Sequence, residues 1–140
     1  MQTPETAVTD SLVFHHVGVI SANIEQETSQ LASLGYQPEG EPFVDPVQGV
    51  RGLFLAGQSP RLELLCPLAR EGVLAPWIRS KNKLYHLAYQ TVQLSQSIAE
   101  LRQNGAKVVV DPVPAVAFSG GLIAFVMLRN MLLVELIGQS

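Results

Sequence analysis

Cysteine, charge and long apolar runs are all scarce in this 140-residue chain. The single cysteine, Cys66, excludes an internal disulfide, and a reducing cytoplasm is the compartment expected. Cys66 lies in the apolar run LELLCPL, where a free thiol is expected to pack rather than react. Charged residues make up only 15% and the net charge is -3, so the chain offers no basic stripe to nucleic acid. Its one basic cluster, Arg79-Ser-Lys-Asn-Lys83, reads equally as a solvated loop or as a contact for an anionic substrate. No apolar run approaches the roughly 20 residues of a membrane helix; the longest, residues 121–128, ends at Arg129 and Asn130. The N-terminus lacks the basic-then-apolar pattern of a signal peptide, and the polar residues 1–10 are expected as a loose tail. Hydrophobic residues supply 47% of the chain, enough for one packed domain over residues 11–140.

The order of the elements repeats. Residues 12–20 are rich in β-branched and aromatic side chains and predict a strand. Ser21 offers a helix cap, residues 22–34 carry Ile24, Leu31 and Leu34 on one face, and Gly35 supplies the stop. Residues 36–42 predict a short strand or turn, 45–49 a loop, and 50–56 and 61–67 a pair of strands joined by GQSP. The second half follows the same plan: a strand over 84–91, a helix with Leu94, Ile98 and Leu101 stopping at Gly105, a strand over 107–110 ended by Asp111-Pro112, then strands over 122–128 and 132–137. Gly35 and Gly105, Pro42 and Pro112, and His16 and His86 are each 70 residues apart; Gly49 and Gly121, and Glu63 and Glu135, are each 72 apart. Such matched offsets mark an internal duplication. We therefore expect an α+β fold of two tandem βαβββ modules, residues 11–68 and 84–138. A linker over 69–83, holding Pro76, Trp77 and a short helix, would join them. Each module's helix covers one face of its strands, so the two are expected to curl into a half-open, barrel-like curved sheet with a concave face.

The chain has three histidines, in FHHVGV and LYHLAY. Regular alternation puts His15 and His16 on opposite sides of their strand, so only His16 is expected to share a site with its repeat, His86. Glu63 and Glu135 each interrupt an apolar strand. A buried carboxylate needs a strong partner, and Lys and Arg are scarce nearby. Two imidazoles and two carboxylates, one of each from each half, would form an N₂O₂ set for a divalent cation, Zn²⁺, Ni²⁺, Co²⁺, Mn²⁺ or Fe²⁺.

These motifs, in this order, resemble the vicinal oxygen chelate superfamily, which includes glyoxalase I, methylmalonyl-CoA epimerase, extradiol dioxygenases and bleomycin-resistance proteins. FHHVGV resembles that family's first metal strand, RLELLCPL the second, YHLAYQ the third and LLVELI the fourth. SGG at residues 119–121 is similar to its glycine turn. The resemblance implies a glyoxalase-like fold with His16, Glu63, His86 and Glu135 as metal ligands. It further implies a lyase or isomerase working through metal-stabilised enolate or enediolate chemistry, with Glu135 and Glu63 as candidate proton carriers. The substrate would be a small molecule such as an acyl-CoA or a thiohemiacetal, and the protein a homodimer without nucleic-acid or membrane partners. VQGVRGLFL is closest to the epimerase branch. There a non-ligand glutamate, proposed as general base, follows QGV by two positions; here that position is Gly52. Arg51 cannot be a base at neutral pH, whereas Gln48 could donate to a substrate oxygen or simply hold its turn. Two rivals share the fold. One is a metal-free antibiotic-binding protein, for which Phe54, Tyr89 and Phe125 would line the cup. The other is a ring-cleaving dioxygenase, disfavoured by the extra Glu63 and the short chain.

Overall fold

A computed structural model describes residues 12–139. Eight strands form one mixed sheet: β1 (Val13–Ile20), β2 (Gln37–Asp45), β3 (Val50–Ala56), β4 (Leu62–Pro67), β5 (Leu84–Thr91), β6 (Lys107–Pro114), β7 (Leu122–Met127) and β8 (Leu133–Gly138). Three helices, α1 (Ile24–Ala32), α2 (Ala75–Ser80) and α3 (Leu94–Gln103), complete it. The tail predicted over residues 1–10 lies outside the described residues.

The strand order is β2-β3-β4-β1-β5-β8-β7-β6. Each βαβββ set contributes half of it. β1 runs parallel to β4 and β5 parallel to β8, while β1 and β5 join the halves as an antiparallel pair. The order reads as the same four-strand pattern from either end, as the duplication predicts. The sheet does not close, yet it curls. The carboxylate of Asp45, at the end of edge strand β2, accepts a hydrogen bond of 3.0 Å from the Val116 N–H in the 3₁₀ turn that follows the other edge strand.

α1 and α3 cover the outer face. Ile24 and Leu31 pack with Leu53, Leu55, Leu62 and Leu64; Leu94, Ile98 and Leu101 pack on Val126, Val134 and Leu136. Leu55, Leu64 and Leu136 are wholly buried, and each such burial is worth about 1.5–3 kcal/mol. Cys66 belongs to the first of these clusters. On the inner face, Val50, Leu65 and Leu74 pack with Trp77 and Tyr85. Strands between the two layers are buried on both faces, which is why β4, LELLCP, is apolar at every position but Glu63 rather than alternating.

Several local expectations are corrected. Helix α1 begins at Ile24, capped by Asn23, whose side chain accepts from the Gln26 N–H; Ser21 instead accepts from the Asn23 N–H, tightening the turn before it. Leu34 lies beyond the helix and is exposed. β2 continues past Pro42 to Asp45, and β6 past Asp111-Pro112 to Pro114. These are the two edge strands of the order, where a missing N–H can face outward without breaking a ladder. In the basic cluster, Arg79 pairs with Glu71 and Lys83 with Glu27, both at the surface.

Candidate metal centre

The four candidate residues sit on the four central strands, in spatial order Glu63 (β4), His16 (β1), His86 (β5) and Glu135 (β8). Register brings them together. Gly18 of β1 lies opposite both Glu63 and His86, and Ala88 of β5 lies opposite both His16 and Glu135. Gly18 and Ala88 are each two residues past a histidine, so each module supplies a small residue beside the other module's imidazole. At Gly18 smallness is obligatory: a Cβ there would stand 2.3 Å from His86 Cε1 and 2.5 Å from its Nδ1.

One ligand atom from each residue can be chosen so that all four lie within 4.8 Å of one another. His16 Nε2 is 3.1 Å from Glu63 Oε1, 3.3 Å from Glu135 Oε1 and 3.1 Å from His86 Nε2. His86 Nε2 is 3.1 Å from Glu135 Oε1. All four residues are buried, none more than 4% exposed. Among the described residues no Lys or Arg pairs with either glutamate.

Burial works against charge here, and the neighbours overrule it. Desolvation alone would push the Glu63 carboxyl up, but hydrogen bonds and charge from His16 and His86 hold it at about 2. Desolvation would likewise lower both imidazoles, but Glu135 and Glu63 raise His16 and bring His86 to about 9. Without a cation, protons on the histidines balance the carboxylates. A divalent cation can take over that role, because its ligands bind in their deprotonated forms. The fit is also geometric. Glu135 Oε1 is buried and makes no well-aligned hydrogen bond, although His86 Nε2 and His16 Nε2 lie 3.1 and 3.3 Å away; a ligated cation would satisfy it. Two imidazole nitrogens and two carboxylate oxygens suit a borderline divalent metal.

His15 departs from expectation. The β1–β5 pairing shifts register between Phe14 and His16, and again opposite Tyr85. Such bulges break alternation and re-aim side chains. His15 therefore points to the same side as His16: its Nδ1 is 2.7 Å from His16 Nδ1, and its ring meets Phe54 and Phe118 edge-on. Burial, His16 and Arg61 lower its pKa to about 4. Tyr85, the residue 70 positions on, packs against His86 in the same way, with ring centroids 4.8 Å apart. Burial, then Glu135 and Glu63, push the Tyr85 hydroxyl pKa up. Tyr89 is corrected in the opposite sense. Three residues past His86, it faces outward and packs with Phe14 and with α3; Phe54 and Phe125 do flank the histidines.

Gly52 is buried in β3 between Phe43 of β2 and Leu65 of β4, and Phe43 occupies the space a side chain there would need: a Cβ at residue 52 would fall 2.4 Å from Phe43 Cζ. Gln48 lines the small cavity beside Glu63 and His86, about 20 Å³ in volume, and its amide donates to Asp45 Oδ2 at 2.9 Å. A larger cavity of about 180 Å³ shares Gln48, Val73, Tyr85 and Phe125 with it and adds Val47, Val110 and Val113. Among the described residues no helix is long and apolar enough to cross a membrane.

Comparison with known proteins places this geometry in context. Residues 15–125 match the model of a family described as the Glyoxalase/Bleomycin resistance protein/Dioxygenase superfamily. An ethylmalonyl-CoA/methylmalonyl-CoA epimerase of Cereibacter sphaeroides is 24% identical over 113 residues, covering 79% of this chain and 84% of the relative. The crystal structure of a hypothetical protein from Bacillus halodurans superposes with a TM-score of 0.80 at 26% identity, covering 93% of this chain and 96% of that one. The methylmalonyl-CoA epimerase of Mycobacterium tuberculosis superposes with a TM-score of 0.79 at 21% identity, covering 99% and 93%.

Proposed function

This chain belongs to the Glyoxalase/Bleomycin resistance protein/Dioxygenase superfamily, and from that premise we propose that it is a metal-dependent isomerase of the acyl-CoA epimerase type. The observation that carries the reading is the convergence of His16, Glu63, His86 and Glu135 from four adjacent strands, buried and, among the described residues, without a Lys or Arg to neutralise the carboxylates. The curated relative, named for ethylmalonyl-CoA and methylmalonyl-CoA, supports an acyl thioester as substrate.

A bound divalent metal would supply Lewis-acid stabilisation of negative charge developing on a substrate oxygen. The rest falls to the chain's own groups. His16, Glu63, His86 and Glu135 would hold the cation. Glu63 can accept a proton from the carbon next to the thioester carbonyl, and Glu135, on the far strand of the row, can return one. Tyr85 and Phe125 exclude water beside them, and the 180 Å³ cavity, walled by Val47, Val110 and Val113, would take a short acyl chain. Gln48, with its amide already held by Asp45, would orient the thioester oxygen.

The test is metal content after purification, then α-proton exchange. Wild-type protein should retain or take up about one equivalent of Zn²⁺, Ni²⁺ or Co²⁺, His86→Ala should take up none, and the loaded protein should exchange the α-hydrogen of methylmalonyl-CoA in D₂O. Failure of wild type to bind any of these metals would overturn the reading. A second reading, a glyoxalase I-type lyase, is favoured by one observation: Phe43 fills the place of a carboxylate at Gly52, leaving a His, Glu, His, Glu set alone. Turnover of a glutathione thiohemiacetal without acyl-CoA exchange would select it.

A further inference from the structure

His15 has no part in the chemistry just described, yet it touches the centre. Its Nδ1 lies 2.7 Å from His16 Nδ1. Two ring nitrogens that close share one hydrogen, so one donates and the other accepts. The direction follows from the opposite side of the His16 ring. His16 Nε2 faces Glu63, Glu135 and His86 at 3.1–3.3 Å. To offer a lone pair there, neutral His16 must carry its hydrogen on Nδ1. His15 Nδ1 is then the acceptor, and His15 carries its own hydrogen on Nε2.

We infer that His15 is a positioning residue that holds His16 in the tautomer and ring orientation needed to bind the metal. The inference rests on the metal-centre reading above. It concerns how one ligand is held, not what the centre does. His15 is itself held in place. The bulge turns its side chain inward, Phe54 and Phe118 flank its ring, and Arg61 Nη1 donates to its carbonyl at 3.1 Å.

The second module has no such device. The residue equivalent to His15 is Tyr85, whose ring lies edge-on to His86, and His86 Nδ1 is buried without a hydrogen-bond partner. His86 is kept in place by packing between Tyr85, Phe125 and Gly18. The two imidazoles of a duplicated centre are thus oriented by different physics, a hydrogen bond in one half and packing in the other. Hydrogen bonds to the distal nitrogen of a ligating histidine usually matter about 10–100-fold in metal affinity.

The test separates an acceptor from a filler. His15→Phe keeps a ring and removes the acceptor; His15→Asn keeps an oxygen acceptor near the Nδ1 position. Co²⁺ affinity is measured by calorimetry and by visible absorption, and the metal-free melting temperature is recorded alongside. We expect His15→Phe to lose about 10–100-fold in Co²⁺ affinity and His15→Asn to recover most of it. In the Co²⁺-loaded protein the paramagnetically shifted Nδ1–H proton of His16 should be seen in wild type and in His15→Asn. It should be lost to exchange in His15→Phe. Should the Phe ring not be accommodated, His15→Leu is read in its place. Wild-type affinity in the acceptor-free variants overturns the inference and leaves the metal centre standing. Equal loss in the Phe and Asn variants overturns it in favour of ring packing. Wild-type protein that binds no Co²⁺ or Zn²⁺ removes the metal reading itself, and the assignment of His15 falls with it.

Discussion

Gly18→Ala adds one methyl group and is expected to disable the centre while leaving the fold. The Cβ would lie 2.3 Å from His86 Cε1, 2.5 Å from Nδ1 and 2.7 Å from Nε2. Ordinary carbon contacts are about 3.5–4 Å, so the imidazole must retreat by about an ångström. Its retreat is obstructed by Tyr85 and Phe125, whose ring centroids are 4.8 and 5.2 Å from its own. Overpacking of this kind costs about 1–3 kcal/mol, or a fall in melting temperature of roughly 3–5 °C per kcal/mol for a domain of this size. The effect on metal is larger, because ligand distances tolerate only about 0.2 Å. Loss of affinity should therefore exceed the roughly 10–100-fold typical of changes behind a ligand. The assay is a Co²⁺ titration paired with a thermal melt. Gly72→Ala serves as control, since a Cβ at that position meets nothing within 4 Å. If Gly18→Ala binds Co²⁺ within about threefold of wild type and melts with it, then the proximity of β1 to His86 does not set the geometry of the centre.

Three further outcomes are expected. In metal-free protein, His86 is raised from 6.5 to about 9 and Glu63 lowered from 4.5 to about 2. The His86 contribution to stability is complete below pH 6.5 and is lost as pH rises through 9; that of Glu63 is present above pH 4.5 and is lost as pH falls through 2. Protons compete with the cation, so metal affinity should climb by up to about tenfold per pH unit across the same rise; urea melts and Co²⁺ titrations over that range check both, and a flat affinity would refute the proton competition. Asp45→Ala strips acceptors from the N–H groups of Val47, Gln48 and Val116 and from the Gln48 amide. It should cost about 3 kcal/mol by leaving buried donors unpaired, read as a lower urea midpoint, and an unchanged midpoint would show that the two sheet edges are not clasped by this carboxylate. Gly52→Glu alone should destabilise by about 1–3 kcal/mol through its collision with Phe43. Combined with Phe43→Ala it should cost less than the two single changes together, a coupling that a double-mutant cycle of melts would detect.

The strand and helix order was legible because duplication gives every element a second witness. Gly35 and Gly105 stop two helices, and His16 and His86 sit in two equivalent strands. Glu63 and Glu135 stood out because a carboxylate inside an apolar run needs a reason. What was not legible depends on partners that only the fold supplies. Pro42 and Pro112 looked like strand ends, since a proline removes a ladder donor, but an edge strand has a free side to place it on. His15 looked outward because alternation assumes an unbroken ladder. The bulge between Phe14 and His16 is a property of the pairing with β5, and no feature of FHHVGV announces it. Aromatic character alone points Tyr89 into the cup, but three positions on from His86 it lies on the other face.

Gly52 and Phe43 bear on how a proton can move in this site. The epimerases that the sequence resembles add a carboxylate at this place, separate from the metal ligands. Here the strand pairing sets Gly52 beside Phe43, and the phenyl ring closes the position to any side chain. An apolar ring in place of an acid cannot carry a proton and lowers the polarity around the remaining groups. Under the proposed function, proton traffic would then fall to Glu63 and Glu135. These belong to different modules and stand at opposite ends of the row β4-β1-β5-β8. Each is the repeat of the other, so a site built from them alone has one carboxylate from each half and a pseudo-twofold relation between them. Under the proposed function, that arrangement would suit a reaction in which one carboxylate removes a proton and the other returns it.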